Sequence, residues 1–456
     1  MPTIVFFMSH TMRTVRAPPT FSCEPGATSV NVTSSPSTIP RTTTTGLPRV
    51  TFDADENFLL QPGETLLHFC KRQTEPDQSP APPPWLLTKF FNASTKDVQL
   101  RPVICVFDAK YWRLQDTYLP TLLPVYYCSA MVIHGYAIWA SGTLVWKYPT
   151  AVRYLIAWRD MNSTGRLSHR GKYVPIYFTL GGAREDSTNL SFVLVHTDWA
   201  YLAAKVKDEI GKWNELFTGV NIDWDYPGDP CNPSPGTFRL FPEFIRRLRL
   251  TAKVPIMISV PPVKSRLDHF SLDQVAANVD YIIIKTHTHT APRSLFNVVR
   301  CSGDQSVAAD VFNEALNMIP ELDQKSRLGY SISVAPETFL APVAQLGAPI
   351  LGTMQWDNHT RQPGRTSYAS VCQEKPVIRT SSHPLCLMVA RQVDSQTVNV
   401  ATFADERALL ERMRLTYSNK MAMAPVAVFD IDLDDFNGTC GSGMSPLIRS
   451  VATGRG

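Results

Sequence analysis

Eight short apolar runs, separated by longer segments of mixed character, occupy the chain from about residue 100 onward. They span 103–107, 130–136, 173–180, 217–223, 254–260, 281–286, 327–334 and 426–431. The runs are almost continuously apolar rather than alternating, which is typical of strands buried on both faces of a parallel sheet. Apolar residues recur at helical spacing in three intervening segments, 198–216, 238–250 and 405–417. Eight strand–helix units predict the α/β class and, within it, a (β/α)8 TIM barrel.

Two parts of the chain fall outside this repeat. The long gap between the seventh and eighth strands predicts a small α+β insertion over about 335–402. Residues 33–45 are dominated by Ser, Thr and Pro, and residues 81–84 read Ala-Pro-Pro-Pro. Such composition does not bury a core and often carries O-glycans. We therefore expect a largely disordered leader over 1–98 and a barrel over 99–452.

The apolar stretch 126–146 is long enough to span a membrane. It contains His134 and two glycines, however, and we interpret it as a buried strand with its loop. The net charge of +4 is spread among interspersed charges of both signs, which gives no reason to expect nucleic acid as a partner.

Cysteines and glycosylation sequons indicate an extracellular protein. The nine cysteines are dispersed and form no CxxC pair, which is typical of disulfides in an oxidising compartment. Six Asn-x-Ser/Thr sequons begin at Asn31, Asn92, Asn162, Asn189, Asn358 and Asn437. No signal peptide is evident, because the apolar run 4–8 is short and Arg13 and Arg16 follow it. We expect a secreted protein, and either the start of the sequence is misannotated or truncated or export uses another route.

The fourth strand carries the candidate chemistry. Side chains alternate along a strand, so Asn221, Asp223 and Asp225 share one face, while Ile222 and Trp224 lie on the other. Active sites of such barrels lie at the carboxyl ends of the strands. Two carboxylates two residues apart form a coupled pair with shifted pKa values when they are buried. The alternative is a loop at the strand end whose acids are solvated.

This stretch resembles the D-G-x-D-x-D-W-E-Y-P signature of glycoside hydrolase family 18, the chitinases and chitinase-like proteins. Further motifs similar to the family's occur in the same order, and the resemblance covers about residues 100–450. They lie at Cys105, 127–128, 179–182, 279–288, 368–372 and 430–441. The resemblance implies two disulfides, Cys105–Cys128 and Cys372–Cys440.

The resemblance also implies a mechanism and a set of site residues. In the family a carboxylic acid protonates the glycosidic oxygen while the substrate's own 2-acetamido group attacks the anomeric carbon. Asp225 stands at the acid position and Asp223 at the position that assists the acetamido group. The positions implied for substrate binding are Asn221, Tyr226, His287, Thr288 and Phe429. No cofactor and no metal ion is implied.

Several positions depart from the family pattern. The family's acid is Glu, and Asp225 is shorter by one C–C bond, about 1.5 Å. The first two aspartates of the signature are Thr218 and Asn221, so their charges are absent. The strand-six motif, which normally ends M-x-Y-D, reads Lys285-Thr-His-Thr288. Aromatic sugar-stacking positions are also altered, and they are occupied by Ala183, Val106 and Phe429.

We therefore expect a secreted chitinase-like protein that binds chitin or other N-acetylglucosamine glycans and hydrolyses them weakly or not at all. One alternative is an active, slow chitinase with Asp225 as the acid. Another is an interaction scaffold that binds no sugar.

Two further patterns allow metal-binding interpretations. Lys285, His287 and His289 form Lys-x-His-x-His, which together with Asp225 allows a metal site. Histidines at strand ends are, however, more often simply hydrogen-bonded. Asp430, Asp432, Asp434 and Asp435 resemble a calcium loop by charge alone. They lack the glycine and final glutamate of an EF-hand, and the resemblance accounts for them as the ending of strand eight.

Overall fold

The computed structural model describes residues 101–108, 118, 122–139, 141–146, 156, 168–169, 172–182, 184–213, 216–225, 237–287, 298–301, 306–357, 364–379, 385–416 and 424–453. The leader expected over 1–98 lies outside these residues.

The strands are numbered in chain order. They are β1 Val103–Asp108, β2 Ala130–Ile138, β3 Leu144–Trp146, β4 Ser168–His169, β5 Lys172–Tyr173, β6 Ile176–Gly181, β7 Gly219–Asp223, β8 Ile256–Val260, β9 Tyr281–Ile284, β10 Leu328–Ser333, β11 Glu337–Ala341, β12 Ile378–Arg379, β13 Leu387–Gln392, β14 Val398–Phe403 and β15 Val426–Phe429.

Eight of these strands close into a barrel. They follow the order β1-β15-β10-β9-β8-β7-β6-β2, and β2 pairs with β1 to complete the ring. Every pairing in the ring is parallel. The predicted (β/α)8 TIM barrel is confirmed.

Helices pack around the barrel. In chain order they are α1 Arg184–His196, α2 Trp199–Lys212, α3 Phe241–Ala252, α4 Lys264–Leu267, α5 Leu272–Val275, α6 Ser306–Met318, α7 Leu322–Lys325, α8 Tyr368–Val371, α9 Glu406–Thr416 and α10 Pro446–Thr453. The three helices expected from periodicity form as α2, α3 and α9. Asp198 caps α2 by accepting a hydrogen bond from the amide of Ala200, as the residue type favours.

The alternation of β7 places its polar side chains inside the barrel. Val220, Ile222 and Trp224 are fully buried in the core that includes helix side chains such as Phe241. The opposite face joins the barrel interior, because Asn221 pairs in register with Met257 of β8, which belongs to the inner cluster. Asp223, two residues further on, therefore lies at the mouth of the barrel.

A second sheet lies between β10 and β15 in the chain. It is antiparallel, with the order β11-β14-β13-β12, and has its own small core. Arg365 of this segment pairs with Asp430, directly after β15, with 2.5 Å between Nη1 and Oδ1. The segment is thus tied to the strand ends of the barrel.

The apolar stretch 126–146 forms no long helix. It comprises the end of a 3-10 turn over Val125–Tyr127, the strand β2 and the antiparallel strand β3. None of the helices in the described part of the chain has the length and apolarity that a membrane span requires.

Three disulfides join described residues. Cys105–Cys128 links β1 to the turn before β2, and Cys372–Cys440 links the end of α8 to the loop after β15, both as the resemblance implied. The third, Cys301–Cys386, was not anticipated. The other cysteines, Cys23, Cys70 and Cys231, lie outside the described residues.

The acids after β15 have structural partners. Asp434 accepts hydrogen bonds from the amides of Asp435, Leu447 and Ile448, so it caps the start of α10. Asp435 accepts from the amide and hydroxyl of Thr439 and from the amide of Cys440. These bonds engage both carboxylates within the fold.

Candidate functional site

Asn221 forms the lower layer of the site. Its side-chain amide donates to Thr179 Oγ1 over 3.2 Å, and its carbonyl oxygen accepts from Ser259 Oγ over 3.1 Å. The side chain is buried and links β7 to both neighbouring strands. Asn221 therefore lies beneath Asp223 as a neutral, hydrogen-bonded part of the barrel floor.

Lys285 is the residue that connects the two carboxylates at the strand ends. It follows β9, and its side chain reaches past β8 to the end of β7. Its ammonium donates to Asp223 Oδ1 over 2.7 Å and also to Asp225 Oδ1. The side chains of Lys285, Asp223 and Asp225 are 6%, 2% and 20% exposed. The two candidate catalytic carboxylates thus share one buried cation.

Charge and burial act in opposite directions in this triad. Burial raises the pKa of Asp225 above its ordinary value and the charge of Asp223 raises it further, while Lys285 opposes both. For Lys285, burial lowers the pKa, but the two carboxylates outweigh it and raise the pKa overall. The ammonium therefore keeps its proton at physiological pH, and the triad with both carboxylates ionised has a net charge of −1.

The backbone around the carboxylates is fixed by a glycine pair and an arginine. Gly181 and Gly182 have φ angles of +101° and +90°, in the region that favours glycine. A Cβ on Gly181 would lie 2.0 Å from the carbonyl oxygen of Asp223, so a side chain there is excluded. The amide of Gly182 donates to that oxygen over 2.9 Å, and Arg266 donates to the carbonyl of Asp225 over 2.9 Å.

Phe429 lies between two imidazole rings. The ring of His287 stacks on it with centroids 4.0 Å apart, and His134 meets it edge-on at 6.0 Å. Nδ1 of His287 is 2.6 Å from Ser331 Oγ, which fixes the orientation of the imidazole. One face of Phe429 is therefore covered by His287 and is closed to a stacking sugar ring.

His134 is a site residue that we did not single out from the sequence. Its Nε2 is buried and has no hydrogen-bond partner among the described residues. Burial lowers its pKa, although the charge of Asp108 opposes the effect, so the ring is neutral at physiological pH. The sequence could have indicated that His134 faces the barrel interior, because it continues the inward alternation of Ala130 and Val132 along β2.

Other predicted site residues remain as expectations. Tyr226, Thr288 and His289 lie outside the described residues, as do the sequons at Asn31, Asn92, Asn162 and Asn358. Asn437 is exposed, whereas the side-chain nitrogen of Asn189 donates to the carbonyl of Ile138 over 2.9 Å. Among the described residues, no group of three or more His, Cys, Asp or Glu side chains is placed to hold a metal ion.

Comparisons with known proteins agree with this fold. The chain is 22% identical over 382 residues to "Probable chitinase 10" of Drosophila melanogaster, covering 79% of the chain. It is 21% identical over 323 residues to "Probable chitinase 2" of the same organism, covering 64% of the chain. The chain spans 16% and 64% of the lengths of these two relatives.

A solved structure has the same fold at low identity. The catalytic domain 2 of the Ostrinia furnacalis Group II chitinase superposes with a TM-score of 0.63 at 17% identity, covering 77% of this chain and 96% of that one. A mutant of that domain has been solved in complex with the oligosaccharide (NAG)5. The family model for glycosyl hydrolases family 18 matches residues 107–434. Because this match covers most of its length, the chain belongs to glycosyl hydrolases family 18.

Proposed function

We propose that this protein is a secreted chitinase-like protein that binds chitin or related N-acetylglucosamine glycans and hydrolyses them slowly or not at all. The observation that carries the proposal is the contact of Lys285 with both carboxylates of the site. Glycan binding is supported by the family and by the relatives named as chitinases. Secretion is supported by the three disulfides.

The chemistry of the family needs a proton on the acid and a carboxylate that is free to orient the acetamido group. Lys285 occupies one oxygen of each carboxylate, and its hydrogen bond to Asp225 favours the ionised form of that acid. Asp225 is also one C–C bond short, and a misplacement near 1 Å costs ~100-fold in rate, or about 2.7 kcal/mol of barrier.

The residues beneath the pair offer no proton relay. Thr218 joins β6 to β7, since its hydroxyl accepts from the amide of Ile176 over 3.0 Å. Asn221 carries no charge and is satisfied by its two neighbours. A relay needs groups that gain and lose protons near neutral pH, and neither side chain does so.

A second candidate, a slow chitinase, is favoured by one observation. Burial and the neighbouring Asp223 raise the pKa of Asp225, which increases its protonated fraction in mildly acidic solution. If Asp225 is the acid, turnover rises as the pH falls below neutrality and disappears in Asp225→Asn.

Two assays on the full chain test the proposal. We expect retention on chitin beads, released by soluble N-acetylglucosamine oligomers, together with little or no cleavage of those oligomers. Cleavage at the rate of an ordinary chitinase, abolished by Asp225→Asn, would overturn the weak-hydrolysis part. Failure of the wild type to bind chitin would instead favour an interaction scaffold that binds no sugar.

A further inference from the structure

The turn between β2 and β3 presents a large aromatic side chain to solvent. Trp139 directly follows β2 and is 49% exposed, whereas Trp146 and Trp356 are buried. The amide of Trp139 donates to the carbonyl of Thr143 over 3.0 Å, and its carbonyl accepts from the amide of Gly142 over 2.8 Å. The turn is therefore closed by its own hydrogen bonds, and the exposed indole is attached to a fixed backbone.

The turn lies against the helix layer rather than against the carboxylate pair. Asp186 of α1 accepts a hydrogen bond from the amide of Ile138 over 3.3 Å, and Asn189 of α1 donates to the carbonyl of the same residue over 2.9 Å. A Cβ on Gly142 would lie 3.1 Å from the methyl group of Thr197, in the link between α1 and α2. These contacts place Trp139 outside the ring of strands.

The first turn of α2 adds a second exposed ring beside this contact. Tyr201 is 47% exposed. The ammonium of Lys205 lies 5.3 Å from the centre of its ring, and that ammonium is paired with Asp208 over 3.8 Å. The cation beside the ring is thus balanced by an acid. Because Thr197, which meets the turn, directly precedes the cap of α2, Trp139 and Tyr201 lie on neighbouring elements.

The groups next to Trp139 in the turn are hydroxyls rather than charges. Ser141 and Thr143 are exposed, and their hydroxyl oxygens are 2.8 Å apart. A sugar presents C–H groups on the faces of its ring and hydroxyls at its edge, so it stacks on an aromatic side chain while it bonds to polar groups beside it. An apolar protein surface would instead cover those hydroxyls without replacing their hydrogen bonds to water. Exposed rings, hydroxyls and balanced charge together favour a neutral polysaccharide.

We propose that Trp139 and Tyr201 form a second polysaccharide-binding surface, which holds neutral N-acetylglucosamine polymers such as chitin outside the mouth of the barrel. The inference rests on the proposed glycan-binding function and adds a contact for the polymer. His134, at the mouth, precedes Trp139 by five residues of β2, or roughly 15 Å of extended strand. A long polymer can contact both surfaces at once, which strengthens its binding beyond that of either contact alone.

The test compares two ligands on the full chain. Retention on chitin beads reports polymer binding, and calorimetry with a soluble N-acetylglucosamine trimer reports binding at the mouth. The variants are Trp139→Ala, Tyr201→Ala and their combination. Leu322→Ala, which removes an apolar side chain that is 83% exposed on α7, is the matched control. Because all of these side chains are exposed, every variant should unfold in urea at the wild-type midpoint.

We expect Trp139→Ala to weaken retention on chitin ~10-fold, since the apolar area buried by a stacked ring is lost. Tyr201→Ala should weaken it less, because Lys205 covers one face of that ring. Trimer affinity, and the retention of Leu322→Ala, should equal the wild-type values. Unchanged retention of the double variant overturns this inference and leaves the proposed function standing. Failure of the wild type to bind either ligand overturns both.

Two further outcomes would assign the rings another role and overturn the inference. If Trp139→Ala lowers trimer affinity as much as it lowers retention on chitin, the indole acts through the mouth and not as a separate surface. If analytical ultracentrifugation shows a wild-type dimer that Trp139→Ala dissociates while retention on chitin is unchanged, the surface binds a second copy of the chain.

Discussion

Replacing Lys285 by Met, the residue of the family motif at this position, removes the cation that two buried carboxylates share. Breaking a buried ion pair by removing one partner costs about 3–5 kcal/mol. We expect about 3 kcal/mol at neutral pH, the lower end of that range, because Asp225 keeps 20% of its side chain exposed and regains some solvation. Urea unfolding with the disulfides intact measures the change in the free energy of unfolding.

The pH dependence separates lost charge pairing from lost packing. Without Lys285 the pKa of Asp225, already raised by burial and by Asp223, rises further. A carboxyl group with a raised folded pKa contributes stability below its unfolded pKa and loses it as the pH rises through the folded pKa. The deficit of the variant is therefore larger at neutral pH than near the ordinary aspartate value of 3.8.

Two controls sharpen this experiment. Lys285→Met with Asp223→Asn removes one carboxylate together with the cation and should recover part of the lost stability. Lys205→Met, at an exposed position, should change the free energy of unfolding by no more than about 0.5 kcal/mol. An equal deficit at neutral and acidic pH would show that packing of the lysine stem, not its charge, stabilises the fold.

Three further changes test other parts of the site and fold. Asp225→Glu combined with Lys285→Met should raise cleavage of N-acetylglucosamine oligomers at least ~10-fold above either single variant. The reason is that the acid needs both the longer side chain and release from Lys285. A double variant whose gain is only the product of the two single gains would contradict this. Gly181→Ala should lower the free energy of unfolding by about 3 kcal/mol, because its Cβ would lie 2.0 Å from the carbonyl oxygen of Asp223. Asp434→Ala should lower the free energy of unfolding in urea by about 2 kcal/mol through loss of the cap on α10. Asn437→Ala, at an exposed position, should leave it unchanged in the same assay.

The barrel could be predicted because its strands are buried on both faces. Such strands appear in the sequence as apolar runs whatever their partners are, and all eight were located. The ends of the strands were predicted less accurately. The third strand was expected from 173, but β6 begins at Ile176, directly after Pro175, which has no N–H to donate to a neighbouring strand.

The strand face on which Asp223 lies could also be predicted, because side chains alternate along β7 whichever strands pair with it. The partner of Asp223 could not, because Lys285 comes from a strand two positions away and meets it only once the barrel closes. A local hint existed: a charged residue directly after Ile282–Ile284 must find a counter-charge if it is buried. The Cys301–Cys386 bridge has no such hint, because spacing alone does not define disulfide connectivity.

Catalysis and stability make opposite demands on the carboxylate pair. A pair that passes a proton must change its charge state during the reaction, and such groups remain unpaired in the ground state at a cost in stability. In this barrel Lys285 supplies a permanent positive charge to both acids. Lys285 holds its proton and opposes protonation of Asp225, so the triad resists the change of charge state that passing a proton requires. Lys285→Met, which should lower the free energy of unfolding by about 3 kcal/mol at neutral pH, is for this reason also expected to bring the site closer to turnover than in the wild type.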